Sequence, residues 1–137
     1  MQNSRKDKKK EMVIVDTSIW IEYFNRARSS RAEKLKKLME REKVAIAGVI
    51  IAELLQGAQN EAELEELREA LITLPLIKEE LEDWEEVGRL SFQMRKEGLL
   101  IPLTDCLIGV LARKEGYPVF TLDEHFKYLK KVKLYSS

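Results

Sequence analysis

The stretch MVIVDTSIWIEYF, from Met12 to Phe24, decides the fold. Met12 to Val15 is wholly apolar and rich in β-branched residues, the pattern of a central strand buried on both faces. Asp16 ends the run. Ile19, Trp20, Tyr23 and Phe24 then recur at helical spacing, so the chain passes directly from strand into helix.

The same alternation extends outward. Ser30 with Glu33 has the form of a capping box opening a helix that buries Ala32, Leu35, Leu38 and Met39. Val44 to Ala47 is a second short apolar run, closed by Gly48, after which IIAELLQG reads as a buried helix. Ala62 to Leu74 reads as an amphipathic helix stopped by Pro75, and Leu76 with Ile77 as a brief strand. Leu81 to Glu97 is a long helix, with Gly98 suited to a left-handed cap. Past Pro102, Thr104 is placed to cap a helix through CLIGVLARKEG. VFTL gives another buried strand, DEHFKYLKK a short helix, and Val132 to Leu134 a closing strand. Strands alternating with helices predict an α/β fold: a three-layer α/β/α sandwich with a short, mainly parallel central sheet. A chain of 137 residues suits one domain, read here as residues 12–137. Residues 1–11, MQNSRKDKKKE, are read as a basic, disordered lead-in.

Composition narrows the chemistry. Cys106 is alone and His125 is the only histidine, which disfavours thiolate zinc sites and mechanisms that need both a histidine base and a histidine ligand. Basic and acidic residues number 24 each, so no global basic footprint for nucleic acid exists. No apolar run approaches the roughly 20 residues that cross a bilayer, and a cytoplasmic protein is expected.

Most acidic residues stand beside lysines and arginines on polar helix faces, but four do not. Asp16 follows a strand, where it reads either as a helix N-cap or as a carboxylate facing a cleft at the sheet's C-terminal edge. Glu53 lies in GVIIAELLQG, apolar almost all round, and a carboxylate buried there needs a cation or an ion pair. Asp105 opens the helix after IPLT, where the helix dipole alone would explain it. Asp123 follows VFTL and reads equally as an N-cap. Taken together, a parallel sheet can bring all four to one edge. Such an oxygen-only cluster suits Mg²⁺, with Mn²⁺ as the alternative, and hydrolysis of phosphodiesters with water as the nucleophile.

Four strings now stand in order: VIVDTSIWIEYF, AELLQG, EGLLIPLTDCLIGVLA and TLDEHF, each carrying one of these acids. In this the sequence resembles the PIN-domain nucleases, and among them the VapC-type toxins of toxin–antitoxin pairs. The resemblance implies that Asp16, Glu53, Asp105 and Asp123 are a metal-binding quartet and that the chain is an endoribonuclease. It further implies a cognate antitoxin protein and a homodimer. Ser18 and Thr121 are implied as helpers that orient Asp16 or a water, with plain capping as the other reading. Glu22 stands where many relatives carry Asp.

Other residues read more blandly. His125, beside an aromatic, is taken as structural, and Cys106 as core. Trp20, Tyr23 and Phe24 are core, or in part a groove for an antitoxin helix. Arg26, Arg28, Arg31, Lys34, Lys37 and Arg95 are solvated side chains or phosphate contacts. Two rival functions remain: an RNA- or protein-binding module on the same fold without a toxin role, and an aspartyl phosphotransferase using Asp16. The second would want Asp-x-Asp, and Ser18 holds that place.

Overall fold

The computed structural model describes residues 12–136. The lead-in expected over residues 1–11 lies outside the described residues. Strand β1 (Val13–Val15) runs into α1 (Thr17–Asn25), followed by α2 (Ser30–Glu40), β2 (Val44–Ala47), α3 (Gly48–Gln56) and α4 (Glu61–Leu71). Then come β3 (Leu76–Ile77), α5 (Leu81–Lys96), α6 (Leu103–Glu115), β4 (Val119–Phe120) and a 3-10 helix (Glu124–Tyr128).

Successive strand residues point to opposite faces of a sheet. Val13, Ile14 and Val15 are all at most 3% exposed, so both faces of β1 are covered by helices, as the expected three-layer α/β/α sandwich requires. The four strands are ordered β3-β2-β1-β4 and every pairing is parallel. The closing strand expected at Val132 to Leu134 is reduced to a single parallel bridge, Val119 to Leu134. Each fully buried isoleucine of this core, such as Ile14, Ile46 or Ile108, stabilises the fold by about 1.5–3 kcal/mol. No described helix is long and apolar enough to cross a membrane.

Helix starts differ from the sequence reading by a residue or two. Ser29, not Ser30, caps α2, its hydroxyl accepting the Ala32 N–H at 3.1 Å. Helix α6 begins at Leu103 behind Pro102, so Thr104 lies inside its first turn instead of capping it. Helix α4 starts at Glu61 behind Asn60, which accepts the Glu63 N–H at 2.8 Å, and it ends three residues before Leu74. Asn and Ser compete well for the N-cap position, so adjacent polar residues shift such boundaries easily.

Parallel register sets up the site. Val15 pairs with Phe120, and the Asp16 N–H donates to the Phe120 carbonyl at 2.9 Å. The chain therefore leaves β1 and β4 side by side, at the C-terminal edge where open α/β sheets gather ligands.

Candidate metal centre

Asp16 occupies the N-cap position of α1, yet its side chain makes no cap hydrogen bond. Its Oδ2 instead accepts from two hydroxyls, Ser18 at 3.1 Å and Thr121 at 2.8 Å. Each hydroxyl is itself fixed: Ser18 Oγ accepts the Leu122 N–H at 3.0 Å and Thr121 Oγ1 the Asp123 N–H at 2.8 Å. The loop after β4 is thereby tied to the start of α1, and Asp16 is held 5% exposed at the join. The capping alternative for Asp16 is not the one the molecule uses.

Asp123 does cap, with its Oδ1 accepting the His125 N–H at 2.9 Å at the start of the 3-10 helix. The same oxygen lies 2.8 Å from His125 Nδ1. Asp105, in the first turn of α6, places its Oδ2 3.0 Å from that same Nδ1. Gly109, one turn beyond Asp105, faces this neighbouring segment. A Cβ there would meet Leu129 Cδ1 at 2.7 Å, just past the 3-10 helix that carries His125.

The electrostatics are strained. Burial, at 7% exposure, pushes the Asp105 carboxyl up, and the neighbouring Asp123 and Asp16 push it further, to about 6 despite the His125 contact. His125 is raised above its ordinary value, chiefly by its hydrogen bond to Asp105.

Glu53 is half-buried on α3, less enclosed than its apolar surroundings in the sequence suggest. Its Oε1 accepts the Thr17 hydroxyl at 2.7 Å, which anchors it to the residue following Asp16. It also walls a hollow lined by Ile21, Phe24, Leu54, Gly57 and Gln59. Among the described residues, Asp105, Asp123 and His125 form a group with ligand atoms all within 4.8 Å of one another. Asp16 joins them through Thr121, whereas Glu53 lies outside that group and is tied to Thr17, the residue after Asp16. Trp20 is core at 1% exposure, while Phe24 and Ile21 are exposed.

Two residues of this network are not legible as such in the sequence. Thr17 reads there only as part of a motif, and its neighbour Asp16 is the available signal. His125 reads as structural because no neighbouring residue in sequence reveals that Asp105, 20 residues earlier, faces it.

The donor set fits a hard divalent cation: carboxylates from three elements, crowded enough to keep a proton on one of them near pH 6. A cation would relieve that repulsion.

The family model of the PIN domain matches residues 13–132. The chain belongs to the PIN-domain family. Among curated proteins it is similar to Ribonuclease VapC11 of Mycobacterium tuberculosis, at 26% identity over 125 residues, covering 88% of this chain and 93% of that protein. Among solved structures it is similar to VapBC2 from Rickettsia felis bound to a promoter DNA fragment, at 22% identity and a TM-score of 0.77, covering 90% of this chain and 97% of the other. VapBC-1 from nontypeable Haemophilus influenzae gives a TM-score of 0.75 at 17% identity, covering 91% and 97%. These structural likenesses establish the fold.

Proposed function

We propose that this chain is a divalent-cation-dependent endoribonuclease, acting as the toxin of a VapBC-type toxin–antitoxin pair. Asp16, Glu53, Asp105 and Asp123 hold the cation, Mg²⁺ or alternatively Mn²⁺. The observation that carries the reading is the meeting of Asp16, Asp105 and Asp123 at one sheet edge, with the Asp105 carboxyl pushed up to about 6 by burial and by its two acidic neighbours.

When bound, the cation activates water and offsets charge on the phosphate. The chain's own residues prepare for this. Ser18 and Thr121 fix the Asp16 carboxylate by donating to one oxygen, which leaves the other free to face a cation. Thr17 orients Glu53 in the same way. The Asp123 cap makes the loop after β4 rigid, so the acids keep their places before any ligand arrives.

The ribonuclease and toxin roles draw on the name of VapC11 and on the VapBC complexes among the structural neighbours. We place residues 12–137 in a single catalytic domain, with residues 1–11 as a lead-in, in a cytoplasmic homodimer. The cognate antitoxin docks along the hollows on either side of Phe24, between α1 and α4, where exposed apolar surface meets the wall carrying Glu53.

The test is cleavage of RNA by the purified protein with Mg²⁺ or Mn²⁺, and with EDTA, followed by sequencing of the ends. Discrete cleavage that EDTA stops, and that Asp16→Asn abolishes in a folded protein, is expected. Equal cleavage in EDTA, or full activity in the folded variant, would remove the metal centre from the mechanism. Co-purification with a small protein encoded alongside tests the toxin role, and light scattering tests the dimer.

A further inference from the structure

We propose that His125 is itself a ligand of the cation, through Nδ1, beside Asp105 and Asp123, and that it tilts the site away from Mg²⁺ towards first-row transition ions. The inference rests on the reading of this cluster as a metal centre.

Three observations carry it. The first is spacing. Two neighbouring donors on an octahedral ion with bonds of about 2.1 Å lie about 3.0 Å apart. His125 Nδ1 lies 2.8 Å from Asp123 Oδ1 and 3.0 Å from Asp105 Oδ2, the separation of that nitrogen from two neighbouring donors around one ion.

The second is the demand placed on one ring nitrogen. Nδ1 carries at most one hydrogen and faces two carboxylates. It can satisfy only one of them at a time. A shared cation satisfies both, with the ring's remaining proton on Nε2.

The third is anchoring. The His125 side chain is 40% exposed, so packing does not hold the ring. The backbone at its root is held, with the His125 N–H bonded to Asp123 and the next residue, Phe126, fully buried. A ring rooted on a held backbone and directed at two carboxylates is placed as a ligand is placed.

A nitrogen donor has a chemical consequence. Mg²⁺ takes oxygen ligands, whereas imidazole favours first-row transition ions.

The full-length, untagged protein loaded with Mn²⁺ tests this by pulsed electron paramagnetic resonance. His125 is the chain's only histidine, so any histidine nitrogen coupled to the ion is its own. A ¹⁴N modulation is expected, converting to the ¹⁵N pattern when the protein is grown with ¹⁵N-histidine. By titration calorimetry, His125→Ala should weaken Mn²⁺ binding about tenfold while changing Mg²⁺ binding less than about threefold. Mn²⁺ bound in an Asp105-dependent way but without nitrogen coupling would overturn the histidine assignment and leave the acidic centre standing. Absence of Mn²⁺ binding to the unsubstituted protein would overturn both. The labelling experiment needs no substitution, so it decides the matter even where a variant fails to fold.

Discussion

Asp83 and Asp105 are each 7% exposed, and their carboxyls shift in opposite directions. Asp83 sits in the first turn of α5, where its Oδ2 accepts from Lys114 Nζ at 2.7 Å and from the Glu80 N–H at 2.8 Å. Burial pushes its carboxyl up, but the Lys114 hydrogen bond, the Glu80 N–H and the ammonium charge outweigh that, and the net shift is downward. Lys114 also donates to the Lys78 carbonyl, stapling α6 to the approach of α5. Asp105 lies deeper among protein atoms and has acidic neighbours instead of an ammonium, and it is raised to about 6. One aspartate arrives with its cation supplied by the chain. The other, on the proposed function, receives one from solution. Burial alone therefore does not mark a site; the charges that meet the buried carboxyl do the sorting.

Removing each carboxylate in turn breaks the comparison most sharply. Asp105→Asn should lower RNA cleavage at least about a hundredfold while leaving the metal-free melting temperature level or higher, because it relieves crowded charge. Comparable cleavage by this variant would erase the distinction drawn between the two regions. Asp83→Asn should do the reverse. It strands Lys114, whose side chain is 33% exposed, so the loss of stability should be about 2 kcal/mol, below the cost of breaking a fully buried pair. Denaturant unfolding gives that figure, and cleavage per folded molecule should be unchanged.

A smaller effect comes from pH in the metal-free protein. Asp105 binds its proton more tightly folded than unfolded, so its contribution to stability is full below the unfolded value of about 3.9 and is lost as pH rises through about 6. Asp83 behaves oppositely: its contribution is present above the unfolded value and is lost as pH falls through its lowered folded value. Stability measured against pH should thus decline on the acid side through Asp83 and between about 4 and 6 through Asp105. Asp105→Asn should flatten only the upper decline. A profile that Asp105→Asn leaves unaltered would locate the upper titration elsewhere.

How far the sequence reaches follows the same division. The strand-to-helix step at Asp16 is legible because an apolar run ending in a carboxylate is a local pattern. Parallel register then brings Asp16 beside Thr121 and the loop carrying Asp123 without further information. Asp83 is not legible. Its surroundings, EELEDWEE, read as a solvated face, and nothing local announces Lys114, 31 residues on. His125 is undervalued by its sequence context for a similar reason, since its worth depends on the approach of α6. Glu53 reads as a buried charge from its apolar neighbours, and a short α3 beside open hollows leaves it half-buried. Periodicity tells which face of an element is apolar, while the depth of burial depends on what packs against it.

The most direct measurement is the melting temperature of the purified protein as Mn²⁺ rises from zero to millimolar at neutral pH, for the unsubstituted chain and for Asp105→Asn. Binding to the folded state alone raises stability by about 2.7 kcal/mol at a hundred times the dissociation constant, so a rise of several degrees is expected in the first and almost none in the second. A melting temperature of the unsubstituted protein indifferent to the ion would contradict the claim that these carboxylates are gathered to hold one.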